Sequence, residues 1–343
     1  MPPPPSAGLT VAVTGPTGEI GKAFVSSLER AREVRRIVGM ARRPFDPAAR
    51  GWRKVTYLQG DVLNRSSVER LIDGADVVVH LAFVIMGSPD ESHEINIVGS
   101  RNVFEATIAA GAKRLVYASS VAAYGFHEDN PARLTEETPL RGNEEFYYSA
   151  HKAELEALLG GLLEDSSTEG YLFRPCIVAG ADATMLIRSL PYVQLSERLP
   201  SALRSLFDVV PILKPVLPDP GVPFQLVHHD DVATAMRAAV LGRGRPGAYN
   251  LAAPGELTVS DLADALGWYS VPVPELAVDA TAELAVRLPF LPPEAAWLSA
   301  FRRPVIMDTS KARRELRWRP RHDAKATLRE MVAAHRADLQ AAA

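Results

Sequence analysis

Tyr148-Ser149-Ala150-His151-Lys152 sets a phenol and an amine four residues apart. On a helix, positions i and i+4 share one face, so the Lys152 ammonium can lie beside Tyr148. A neighbouring cation favours the phenolate and lowers a pKa that starts at about 10. A tyrosine tuned in this way can give or take a proton at a carbonyl or alcohol oxygen. The spacing alone is unspecific: with seven lysines and nine tyrosines in the chain, a chance pair arises roughly one time in five. Position supplies the specificity. The pair lies on a helix that follows a strand ending in Ala118-Ser119-Ser120, and a serine hydroxyl at that strand end can bond the same reacting oxygen. Ser120, Tyr148 and Lys152 are therefore the candidate catalytic set.

A second constellation stands near the start of the chain. Thr14-Gly15-Pro16-Thr17-Gly18-Glu19-Ile20-Gly21 carries glycines at a G-x-x-G-x-x-G spacing. Gly15 permits a tight turn, Gly18 lets the backbone approach a pyrophosphate, and Gly21 lets the next helix pack against the strand. The helix N-terminus then offers unpaired N–H groups to the anion. A glycine-rich turn without a ligand is the alternative, but this trio sits between a first strand and a first helix, the context the motif requires. The second strand ends in Ile37-Val38-Gly39-Met40-Ala41-Arg42-Arg43, with no carboxylate to hold a ribose 2′-hydroxyl. Guanidinium forks suit a 2′-phosphate, so NADP is preferred and NAD is the alternative; as solvated loop charges the two arginines would carry no such meaning. Asp61, after the third strand, is placed to bond an adenine amino group or to close the turn Gly60-Asp61-Val62-Leu63-Asn64.

The elements that position these residues follow an alternating rhythm. Apolar β-type runs occupy 9–14, 34–40, 55–58, 76–81, 114–118 and 171–173, and helical spacing occupies 18–31, 64–72 (with Asn64 as N-cap), 91–110 and 146–163. Strands alternating with helices mean right-handed βαβ units. The fold class is α/β, a doubly wound parallel sheet of the Rossmann kind with a smaller, mainly α-helical C-terminal capping lobe. Residues 224–227 and 249–251 read as strands returning to the sheet around a helix at 231–241. Further helical patterns occupy 260–266, 310–316 and 324–334. Residues 8–180 plus 224–251 form the dinucleotide-binding domain, 181–223 plus 252–343 the capping lobe, and 1–7 a disordered, proline-rich tail.

Composition narrows the class. The chain has 343 residues, 47% hydrophobic and 23% charged, the profile of an ordinary globular protein. A net charge of −3 gives no global field for nucleic acid or an anionic membrane. One cysteine, Cys176, makes no intrachain disulfide, and it reads as a buried strand residue rather than an auxiliary acid. The N-terminus has no basic segment followed by an apolar one, and 206–217 is too interrupted for a membrane span. A cytoplasmic protein is expected.

These residues together resemble the extended short-chain dehydrogenase/reductase family, including its NAD-dependent epimerase/dehydratase group, over nearly the whole chain. Val79-His80-Leu81-Ala82 is similar to the family's strand-four segment, and Glu94-Ile95-Asn96-Ile97-Val98-Gly99-Ser100 with Asn102-Val103 to its helix-four signature. Ala118-Ser119-Ser120-Val121-Ala122-Ala123-Tyr124-Gly125 is similar to its Ser-Ser-x-x-x-Tyr-Gly block, which marks Ser120 as the serine of the set. Arg174-Pro175, 227–233 and 310–313 are also similar to family segments. The resemblance implies hydride transfer at C4 of a nicotinamide, with Tyr148 as acid/base, Ser120 as hydrogen-bond partner and Lys152 as electrostatic tuner. It implies a cofactor surface of Gly15, Thr17, Gly18, Glu19, Ile20, Gly21, Arg42, Arg43, Asp61, Val62, Leu81, Ala82, Phe83, Ala118, Ser119, Tyr148, Lys152, Pro175 and Ile177. It also implies a homodimer through the two long helices, no nucleic-acid or membrane partner, and no metal. Asn96 is either part of a proton relay or a helix-kink residue.

Departures from the family bear on the substrate. No Asn follows Arg174-Pro175-Cys176-Ile177-Val178, where sugar-nucleotide epimerases often carry one, and Val121-Ala122 replaces the acid pair of the 4,6-dehydratases. Phe83-Val84-Ile85-Met86 makes an apolar loop, and Ile85, Met86, Val121, Phe126 and His127 are the candidate substrate contacts. His127 and His229 read more readily as structural. Three functions stay open: a carbonyl reductase or alcohol dehydrogenase on an apolar or aromatic small molecule; a nucleotide-sugar epimerase, with Arg188, Arg198 and Arg204 as a diphosphate clamp; and a non-catalytic nicotinamide-nucleotide sensor.

Overall fold

The computed structural model describes residues 8–85, 89–190, 192–194, 214–273 and 303–341. Met86, Arg198, Arg204, the proline-rich tail and much of the expected lobe, including 195–213 and 274–302, lie outside the described residues. The first half of the chain alternates strand and helix: β1 (Leu9–Thr14), α1 (Glu19–Glu29), β2 (Val34–Ala41), β3 (Val55–Gln59), α2 (Arg65–Ile72) and β4 (Val77–His80). A helix then runs through α3 (Pro89–His93), a π-turn (Glu94–Val98) and α4 (Gly99–Ala109), followed by β5 (Arg114–Ala118), α5 (Tyr147–Glu164) and β6 (Glu169–Pro175). Asn64 caps α2 as its sequence predicts, accepting from Ser67 N at 3.0 Å.

The second half comprises β7 (Ile177–Ala179), α6 (Met185–Arg188), β8 (Val216–Asp219), β9 (Leu226–His228), α7 (His229–Val240), β10 (Gly247–Leu251), α8 (Val259–Leu266), β11 (Tyr269–Pro272), α9 (Ser310–Glu315) and α10 (Ala324–Ala341). Seven strands form one sheet in the order β3-β2-β1-β4-β5-β6-β10, and every neighbouring pair is parallel. The order reverses between β1 and β4, which opens a crevice at their carboxyl ends where open α/β sheets bind ligands.

The β-branched runs are buried because both faces of the sheet are covered. On one face Val11, Val13, Val77 and Val79 pack with Phe24, Val25 and Leu28 of α1 and Val232, Ala235 and Met236 of α7. On the other, Ala12, Val38 and Val78 pack with Val68 and Leu71 of α2, Val103 and Phe104 of α4, and Leu155 and Leu159 of α5. Full burial of one such side chain contributes ~1.5–3 kcal/mol. A third cluster joins Leu226, Leu257, Leu262, Leu266, Leu328 and Met331, so α8 and α10 carry a core of their own.

One strand expectation is corrected. Residues 224–227 do not return to the main sheet. β10 takes the open edge beside β6, and β9 pairs in parallel with β7 in a separate two-stranded sheet. Phe224 bridges to Leu257 instead. Among the described residues no helix is long and apolar enough to cross a membrane.

Candidate active site

The glycine loop leaves β1 at the crevice. Gly15 has φ +68°, and a Cβ there would stand 2.9 Å from Ala82 N, so the turn and its contact with the end of β4 both need glycine. A Cβ on Gly21 would stand 2.2 Å from Gly15 O, so α1 reaches the loop only without one. Gly18 differs. Its φ is −74°, and a Cβ would come no nearer than 3.5 Å to Gly15 O. Neither backbone nor neighbours demand glycine there, so its bareness fits a ligand's approach to the N–H groups at the start of α1. Thr17 is half-buried beside it, and Ile20 packs into the core beneath. The Glu19 carboxyl accepts from Met185 N at 3.2 Å, and burial pushes its pKa above the usual carboxylate range.

Thr14 locks β1 to β4. Its hydroxyl accepts from Leu81 N (3.1 Å) and Ala82 N (3.2 Å). With both lone pairs engaged it donates to His80 Nδ1 (2.7 Å), which leaves the His80 proton on Nε2, donated to Ser100 at 2.9 Å. Burial, with Lys152 nearby, holds His80 down to about 3, so the imidazole is neutral at physiological pH. Arg42 and Arg43 are exposed just past β2, and their carbonyls accept from Gln59 Nε2 and the Tyr57 hydroxyl. Asp61 Oδ1 closes its own turn on Leu63 N (3.0 Å), and Val62 O accepts from Asn102. Leu81, Ala82, Phe83, Ala118, Pro175 and Ile177 all lie at or just past the carboxyl ends of β4, β5 and β6, on the glycine loop's edge of the sheet.

At the reaction end, α5 brings Tyr148 and Lys152 onto one buried face, as the spacing predicts. Ser120 caps a short 3-10 turn by accepting from Ala122 N (3.2 Å), and its hydroxyl is hydrogen-bonded to Tyr148. The expected lowering of Tyr148 by Lys152 is not found. Burial pushes Tyr148 up to about 12, and the Ser120 bond is the opposing influence. The reason is where the ammonium goes. Lys152 Nζ donates to Ala118 O (2.8 Å) and the Tyr117 hydroxyl (3.3 Å), lies 3.5 Å above the Phe83 ring centre and is 5.8 Å from that of Tyr148. Burial lowers Lys152 to about 7, with Glu156 acting against the fall.

Glu156 is one of several residues that motif spacing missed. Its carboxylate is buried with Arg174, which reaches it through Nη2 at 2.7 Å and Nε at 3.0 and 3.1 Å. Ser119 donates to it at 2.5 Å, so this hydroxyl is committed to the interior, below the expected cofactor surface. Arg174 Nη1 continues to the Tyr124 hydroxyl, which donates to Asn250 Oδ1 (2.7 Å). The i+4 relation of Glu156 to Lys152 was a usable signal; its Arg174 partner, on another element, was not. Asn96, in the π-turn, grips the strand-four loop by accepting from Val84 N (2.8 Å) and donating to Val84 O (2.9 Å). The π-turn thus coincides with a side chain that ties this helix to the strand-four loop.

Phe83, Ile85, Phe126, Phe146 and Tyr147 cluster around Tyr148 and Ala122, and Tyr147 donates to Ile85 O (2.7 Å). Val121 packs instead against the main core. His127 Nε2 lies 2.7 Å from Gly142 O, a structural tie. Cys176 is buried, and burial raises its thiol pKa, consistent with a strand residue. His228, His229 and Glu330 also converge. Yet His228 Nδ1 accepts from Asp230 N (3.1 Å) and His229 Nε2 from Asp182 N (3.3 Å). Those bonds place the ring protons on the opposite nitrogens, which lie 3.2 Å from Glu330 and 3.3 Å from Asp230.

A family model for the NAD dependent epimerase/dehydratase family matches residues 11–252. The chain belongs to that family, within the extended short-chain dehydrogenases/reductases. It is 26% identical over 325 residues to an uncharacterized protein of Sinorhizobium fredii, covering 91% of this chain and 75% of that one. It is 34% identical over 165 residues to human 3 beta-hydroxysteroid dehydrogenase type 7, a match of 44% of this chain that spans under half, 44%, of the human enzyme. Among solved structures, Thermus thermophilus UDP-glucose 4-epimerase in complex with NAD superposes with a TM-score of 0.69 at 22% identity, covering 96% of this chain and 99% of that one. The matched segment contains the glycine loop Gly15–Gly21 and Ser120, Tyr148 and Lys152.

Proposed function

We propose that this chain is a carbonyl reductase or alcohol dehydrogenase that prefers NADP and acts on an apolar small molecule. The observation that carries the substrate class is the apolar cluster of Phe83, Ile85, Phe126 and Phe146 packed with Tyr148, whose hydroxyl meets Ser120. The partial likeness to a 3 beta-hydroxysteroid dehydrogenase supports alcohols and ketones on hydrophobic ring systems as the first compounds to try. The glycine loop, with the bare Gly18 at the α1 N-terminus, would hold the pyrophosphate, and Arg42 and Arg43 a 2′-phosphate. The nicotinamide supplies the hydride when bound. Tyr148, a phenol up to about pH 12, then donates its proton to the carbonyl oxygen while Ser120 bonds the same oxygen. Exclusion of water by the apolar cluster strengthens both bonds.

Nucleotide-sugar epimerisation is the second reading, favoured by the family match and the epimerase likeness. Against it, Arg188 is an exposed surface residue paired with Asp338 at 2.9 Å rather than part of a diphosphate clamp. The test is loss of reduced-nicotinamide absorbance with NADPH or NADH against hydrophobic aldehydes and ketones, with nucleotide-sugars alongside. Oxidation driven by a carbonyl compound supports the reductase. Isomer interconversion of a nucleotide-sugar without net oxidation replaces it with the epimerase.

A further inference from the structure

The site contains a buried carboxylate that neither gives nor takes the reacting proton. Glu156 is 5% exposed, four residues beyond Lys152 on α5 and eight beyond Tyr148, so all three stand on one helix face. Its two oxygens are held by three bonds from Arg174 and one from Ser119. An ion pair this deeply buried is an unpromising source of net stability, because desolvation offsets most of the attraction. Its place between the lysine and the serine turn suggests another use.

We propose that Glu156 is a positioning residue of the active site: its carboxylate, clamped by Arg174 and Ser119, favours the charged form of the buried Lys152 side chain and fixes the Ser119-Ser120 turn. This rests on the reading of Ser120, Tyr148 and Lys152 as the reacting set. The surroundings of Lys152 leave Glu156 as its compensating charge. From β5 it meets the neutral Tyr117 hydroxyl and the Ala118 carbonyl, and from the strand-four loop the Phe83 ring. From β4 it faces His80, which burial keeps neutral at physiological pH, and on its own helix Tyr148, a phenol, and His151, which burial lowers to about 4, with the exposed His93 beyond it. Glu156 is the anion among the groups that influence it. Arg174 in turn faces Tyr124 from the turn after β5 and Glu136 from the loop before α5. The bond to Ser119 carries the same carboxylate's effect to the neighbouring residue, Ser120, whose hydroxyl meets Tyr148.

The test is a titration of Lys152 that needs no substrate. Full-length protein carrying 13C at the lysine ε position gives one signal per lysine, and the Lys152 signal is identified by its loss in Lys152→Arg. In the parent the midpoint is expected at about 7. Glu156→Gln is expected to lower it by about one pH unit, since the ammonium loses its anion and faces an unpaired Arg174. Glu156→Asp, which keeps the charge, is expected to restore most of that shift. Where Glu156→Gln fails to fold by circular dichroism, Glu156→Gln with Arg174→Gln removes both charges and is expected to move the midpoint in the same direction by less. A folded variant without the Glu156 charge that titrates like the parent overturns the proposal. If Tyr148→Phe retains full turnover, the assignment of the reacting set fails while the titration result stands, so the two failures are distinguishable. Once a substrate is in hand, the alkaline limb of kcat should move to lower pH with the Lys152 midpoint.

Discussion

At the phosphate end of the sheet's carboxyl edge, between β1 and β4, the chain works by leaving side chains out and keeping what remains neutral. Gly15, Gly18 and Gly21 expose backbone, and Thr14, His80 and Ser100 close a buried chain of uncharged hydrogen bonds. At the reaction end, between β5 and β6, it buries charge: Lys152, Glu156 and Arg174 are each no more than 5% exposed. On the proposed reading, the neutral end would receive an anion whose charge comes with the ligand. The charged end holds its own field before any ligand arrives, which is how a site stabilises charge that develops during a reaction. The contrast predicts that changes at the first end act on ligand binding, and changes at the second on turnover.

The largest expected effect is at the charged end. Tyr148→Phe keeps the ring in its cluster but removes the proton; turnover should fall about 10²–10⁴-fold, with cofactor binding retained by fluorescence titration. Equal loss of binding would mean that the two ends are not separable.

Arg174→Met strips the buried Glu156 carboxylate of its direct ion-pair partner, which should destabilise the protein by about 3–5 kcal/mol in urea unfolding. A loss below about 1 kcal/mol would place that pair in a wetter setting than its burial indicates.

The neutral end has its own pH signature. Burial holds His80 down to about 3, whereas the unfolded chain binds a proton near 6.5. Between those values the unfolded state carries more protons, so stability falls with acid by up to about 1.4 kcal/mol per pH unit. By pH 5 the loss from His80 should reach about 2 kcal/mol, read from urea midpoints at pH 7 and pH 5. A flat profile would mean that His80 takes up its proton in the fold as readily as in the unfolded chain.

Two glycines separate ligand from fold. Gly21→Ala collides with backbone and should lower the thermal midpoint. Gly18→Ala has room in the protein alone, so it should leave that midpoint within a degree or two while weakening cofactor binding about tenfold. A thermal loss at Gly18 would return that glycine to a purely structural role.

An effect of similar size, but confined to one of the two cofactors, is expected at the exposed rim. Arg42→Ala with Arg43→Ala should weaken NADPH about tenfold and NADH hardly at all. Equal affinity for both in the parent would remove the basis for preferring NADP.

The sequence by itself determined a good deal here. The glycine spacing, the β-branched runs, the Asn64 cap and the pairing of Tyr148 with Lys152 are short-range patterns, and each appears where the helix or strand period places it. The parallel sheet follows from alternation, because helical crossovers leave few other ways to cover both faces. What only the tertiary structure decided involves partners far apart in the chain or a choice among packings. Lys152 donates to the Ala118 carbonyl and lies over the Phe83 ring, because those groups converge from β5 and the strand-four loop. Glu156 meets Arg174 and Ser119 because β5, β6 and α5 pack together, and β9 is kept out of the main sheet because β10 occupies the edge. Periodicity states which face a residue is on; which charge it meets there, and how much water remains, is set by elements that come together only in the folded chain.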